Sequence, residues 1–69
     1  MSEIRLVDDG GRVAYIEEDD FEVVVLMLLG GDSPSEVRRV LRSEGYATTF
    51  ASQIVNNAAL AVRHSSALV

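Results

Sequence analysis

Val23-Val24-Val25-Leu26-Met27-Leu28-Leu29 is an unbroken run of seven apolar side chains in a chain of 69 residues. An element that is wet on one side carries polar residues at regular intervals; one that is apolar all round has to be covered all round. The run therefore reads as the central element, with the remaining segments packed over it. As a helix it extends from about Asp20 to Leu29, with Phe21, Val24, Val25, Leu28 and Leu29 on one i, i+3, i+4 face. Val23, Leu26 and Met27 cover its other side. The three valines also suit a buried strand, but a cap before the run and Gly30-Gly31 after it favour helix. Asp19 is the expected N-cap, with Glu22 completing a capping box. The acids Glu17, Glu18, Asp19 and Asp20 suit the positive end of the helix dipole. A hard cation would need oxygens that converge with the spacing of a binding loop, and four adjacent acids diverge.

A chain this short makes one domain, residues 1–69, with a thin core and few ways to reinforce it. There is no cysteine for a disulfide or a thiolate zinc site, and His64 is the single histidine. No metal or cofactor is expected. Tight helix packing and oligomerisation remain as reinforcements. With 48% apolar residues the chain holds more than one small core easily buries, which points to a homodimer or a bound partner. The net charge is −5, from 11 acids against six arginines. A field of that sign disfavours nucleic acid and anionic membrane. No basic-then-apolar leader is expected, and the apolar run is far too short to cross a bilayer. Lack of cysteine fits a reducing cytosol, so a cytoplasmic location is expected.

Residues 3–16 read as a β-hairpin. Asp9-Gly10 suits the positive-φ positions of a two-residue turn, which pairs Val7 with Arg12, Leu6 with Val13 and Ile4 with Tyr15. Ile4, Leu6, Val13 and Tyr15 then form one apolar face, a candidate dimer surface. A second helix spans residues 33–44: Ser33 caps it, Pro34 takes its first position, and Glu36 is the capping-box partner. Val37, Val40 and Leu41 form its stripe, and Gly45 closes it with Tyr46 folding back on Leu41. A third helix spans residues 48–64, with Phe50, Ile54, Ala58, Ala61 and Val62 inward. Leu68 and Val69 are apolar and able to dock. The fold class is α+β, an N-terminal two-stranded hairpin followed by three α-helices.

The second and third helices, joined by a glycine turn, have a helix-turn-helix outline. In a DNA-reading version Thr49, Ser52, Gln53 and Asn56 would face base edges, and Arg38, Arg39 and Arg42 would hold phosphates. The bland reading of the arginines is a solvated face, paired loosely with acids such as Glu17 and Glu18. His64 sits where a cation favours a helix C-terminus, and nothing near it in sequence builds a nucleophile and an oxyanion hole. No catalytic set is present, so an enzyme is not expected.

Residues 12–46, through Leu29-Gly30-Gly31 and Ser35-Glu36-Val37, resemble PqqD-like peptide-recognition domains. That resemblance implies a winged-helix-like fold with three strands that captures a leader peptide as an added strand. The residues themselves point first to a small non-enzymatic protein-interaction or regulatory module, homodimeric. DNA binding by the helix-turn-helix and peptide capture are the alternatives.

Overall fold

A computed structural model describes residues 2–67. Two antiparallel strands, β1 (Glu3–Val7) and β2 (Val13–Glu17), lead into α1 (Glu18–Leu29), α2 (Pro34–Ser43) and α3 (Thr48–Ala67). This is the expected α+β arrangement, and residues 21–29 are helix rather than buried strand. The expected docking of Leu68 and Val69 lies outside the described residues. α3 runs one turn past the expected end at His64.

The hairpin register differs by one residue from the expected one. Val7 pairs with Val13, Leu6 with Ala14, and Ile4 with Ile16. The cause is Asp8. Its carboxylate accepts from the Gly10 N–H at 2.9 Å, the Arg12 N–H at 2.8 Å and Arg12 Nε at 2.9 Å. The Gly11 N–H donates to the Asp8 carbonyl at 3.1 Å, and the Asp8 N–H to the Arg12 carbonyl at 3.0 Å. Gly11, not Gly10, takes the positive φ, +81°. These bonds build a three-residue loop with a glycine bulge in place of the two-residue turn. A slip of one residue turns β2 over. Ile4, Leu6, Ala14 and Ile16 therefore face the helices, while Val13 and Tyr15 lie on the outer face. The candidate surface of Ile4, Leu6, Val13 and Tyr15 is thus divided between the two sides of the sheet.

Among the described residues the buried core is Leu6 and Ile16 from the sheet, Val24 from α1, Val37 and Leu41 from α2, and Phe50, Ala51, Ile54, Val55 and Ala58 from α3. Half of it comes from α3, so α3 and not the apolar run is the element the others cover. Ala51 and Ala58 have lost all exposure. Their small side chains leave room for the other helices to pack close to the α3 backbone. α1 buries one face, with Phe21, Val25, Met27 and Leu28 partly covered. The expectation that it is wrapped all round fails: Val23, Leu26 and Leu29 are 54%, 60% and 55% exposed. Two helices and a two-stranded sheet do not provide enough surface to enclose a helix on both sides.

The helix ends follow local chemistry. The Ser33 hydroxyl accepts from the Glu36 N–H at 3.2 Å. After α2 the Gly45 N–H donates to Arg42 and the Tyr46 N–H to Leu41, with Gly45 at φ +106°. α1 ends in the same way: the Gly31 N–H reaches Leu28 and the Asp32 N–H reaches Met27, with Gly31 at φ +102°. Both are the six-to-one, five-to-two closure that a left-handed glycine permits. The start of α1 is a correction. Glu17, not Asp19, is its N-cap, and it makes no side-chain cap bond. The strand runs directly into the helix, so Asp19 lies inside the first turn, where it meets the dipole only. Ser33→Ala is accordingly expected to cost about 1 kcal/mol in a urea melt. Asp19→Ala, which removes no cap bond, is expected to cost less; equal losses would contradict the assignment.

Candidate functional site

Surface chemistry concentrates in three places: the α2 arginines, the start of α3 beneath the hairpin loop, and the outer side of α1. On α2, the helical spacing sends Val37 and Leu41 inward and Arg39 and Arg42 outward. Arg38 is half-buried and its Nη2 donates to Ser35 Oγ at 3.1 Å. Arg39 Nη2 lies 3.9 Å from Glu36 Oε2, an exposed pair one turn away on the same helix. Such a pair is worth under about 0.5 kcal/mol. Arg42 has no carboxylate partner among the described residues. Among the described residues no ion pair joins these arginines to Glu17 or Glu18.

The first turns of α3 carry Thr49, Ser52 and Gln53, which the structure brings together on one wall of an open cleft of about 430 Å³. Its opposite wall is the hairpin loop, with Asp8, Asp9 and Arg12. Gln53 Nε2 donates to the Val7 carbonyl at 2.8 Å, a contact spanning 46 positions that ties α3 to the edge of β1. Asn56 is exposed and stands outside this cleft. Asp8 is charged over most of the pH range. The Arg12 N–H bond holds its carboxyl below the usual range, the loop's own cover opposes that, and the Arg12 guanidinium lowers it further. A groove-reading role for α3 would bring phosphates against Asp8 and Asp9, and Gln53 is already engaged. Thr49, Ser52 and Gln53 share this cleft with Asp8 and Asp9, whose charge is unfavourable to phosphate, and Asn56 does not.

Between α1 and α2 lies a small cavity of about 50 Å³. Ile16, Val24, Val37 and Leu41 line its depth, and Val23 and Val40 its mouth. Asp20, Glu44 and Tyr46 edge it. Burial raises the Tyr46 phenol above its ordinary value, and the charges of Asp20, Glu44 and Glu17 add to the shift. Among the described residues no three His, Cys, Asp or Glu side chains are placed to hold a metal ion. Among the described residues no helix is long and apolar enough to cross a membrane.

No protein-family model, characterised protein or solved structure matches this chain. The reading of its surface rests on chemistry alone. The third strand implied by the PqqD-like resemblance is not present among the described residues.

What sequence reasoning missed is the outer side of α1. Val23, Leu26 and Leu29 follow one another at intervals of three along a 12-residue helix. At 100° per residue Val23 leans toward Met27 and the half-exposed Val40 of α2, so apolar surface continues across the helix pair. The sequence separates Val23 and Leu26 from the inward face, but it sets Leu29 inward and Met27 outward; the structure exchanges these two, with Met27 packed against the core and Leu29 in solvent.

Proposed function

We propose that this chain is a small non-enzymatic interaction module that works as a homodimer through the outer side of α1. The observation that carries the reading is the ridge of Val23, Leu26 and Leu29, each more than half exposed on a helix whose opposite face is packed. Scattered apolar residues on a surface need no explanation; three in a row on one helix, continuing to Val40, form a patch that water disfavours. An ordinary interface covers about 800 Å² on each partner, so the contact extends from the ridge over the neighbouring surface of α1 and α2.

A second copy is the occupant that fits. The charge of −5 gives the surface a polar surround and keeps an oily patch soluble. The same patch on two copies is self-complementary under a two-fold axis, the commonest symmetry of small oligomers. Sedimentation velocity is expected to show a monomer–dimer equilibrium with the dimer dominant at tens of micromolar, where contacts with Kd of about 1–10 µM are filled. A single monomeric species throughout would refute the proposal.

A further inference from the structure

We infer that two copies join through an antiparallel pairing of their α1 helices, with Leu26 on the two-fold axis. This rests on the homodimer reading above and adds its geometry. Leu26 is the middle member of the ridge, with Val23 and Leu29 three positions to either side. Around the helix Val23 and Leu29 lie about 60° to either side of Leu26. A two-fold axis at Leu26 therefore sets Leu26 against the partner's Leu26, and brings Val23 level with the partner's Leu29 along the flanks of the seam.

Charge selects the antiparallel direction. The first turn of α1 carries Glu18, Asp19 and Asp20, Glu22 follows, and the last turn has no basic residue. A parallel pair would align these four acids with the same four of the partner, and no arginine of α1 exists to offset them. An antiparallel pair moves the two clusters apart by about the length of the helix, ~18 Å. That is beyond the screening distance of about 8 Å at physiological salt. It also carries each acidic turn toward the partner's Gly30–Ser33 turn, where α2 begins and its unpaired N–H groups present the positive end of a dipole. The apolar ridge supplies the contact, and the acids fix its direction.

The absence of cysteine makes the test unambiguous, since each introduced thiol is the only one. Leu26→Cys, Val23→Cys and Leu29→Cys all lie at exposed positions and leave the core intact. Each is oxidised with copper–phenanthroline, and circular dichroism confirms that it folds. Leu26→Cys is expected to crosslink with itself. Val23→Cys and Leu29→Cys are expected to crosslink several-fold better when mixed than when either is alone. In the antiparallel pair each Val23→Cys sits about 9 Å along the axis from its own counterpart, outside disulfide reach. Efficient crosslinking of Val23→Cys alone would establish a parallel pair and overturn the inference. A sedimenting dimer in which Leu26→Cys fails to crosslink would place the contact on another face, overturning this geometry but not the homodimer. A monomer in sedimentation would remove both.

Discussion

Ile16→Ala is expected to cost the domain about 2–5 kcal/mol, whereas Tyr15→Ala, one residue earlier on the same strand, is expected to cost about 1 kcal/mol or less. Ile16 is 1% exposed and lies in the depth of the α1–α2 cavity with Val24, Val37 and Leu41; Tyr15 is 55% exposed on the outer face opposite Arg5. Truncating Ile16 removes three carbons where β2 meets the α1–α2 cavity, and enlarges a cavity already present. Truncating Tyr15 removes only cross-strand contact over solvent. A domain of this size has a few kcal/mol of stability in all. The alanine variant at Ile16 is therefore expected to be largely unfolded at room temperature, and that at Tyr15 to melt in urea close to the parent. Circular dichroism during urea titration measures both. The reverse order of losses would mean that β2 presents its other face to the core, which is the register a two-residue Asp9-Gly10 turn imposes.

That contrast shows why part of the fold was legible in the sequence and part was not. α2 was readable almost to the residue. Ser33, Pro34, Gly45 and the narrow Val37–Leu41 stripe each point the same way, and the structure places the helix at Pro34–Ser43 with the expected cap and closure. β2 reads Val13-Ala14-Tyr15-Ile16, apolar in either phase. The pattern has no power to choose between registers, and an apparently clean apolar face was no check at all. The choice lies in Asp8, whose three accepted bonds favour the longer loop. The same degeneracy hid the candidate site. A run apolar on every side identifies a helix without saying which side is inward, and the answer depends on how much of α3 is available to cover it. Among the described residues α3 contributes five of the ten that are buried, and α1 turns Val24 toward that core while Val23, Leu26 and Leu29 stay open.

Leu26→Asp is expected to weaken self-association at least about 100-fold, a loss of about 2.7 kcal/mol. Leu60→Asp, the same substitution on α3, is expected to leave it nearly unchanged. The two leucines are matched: each is 60% exposed in a single copy and each sits within a helix. Any loss of helix propensity or gain of surface charge is common to both, within about 0.5–1 kcal/mol of monomer stability. Only the α1 position differs in what a second copy does to it. With Leu26 on the axis, the substitution sets two carboxylates against each other in a contact otherwise apolar, and an unpaired charge taken out of water costs several kcal/mol. Thermal melts give an independent measure. A dimer is stabilised by mass action, so the parent midpoint rises with protein concentration, as does that of Leu60→Asp, while that of Leu26→Asp does not. Equal weakening by the two substitutions would mean that added negative charge on an already acidic chain opposes association wherever it is placed, and that the ridge is not where the copies meet.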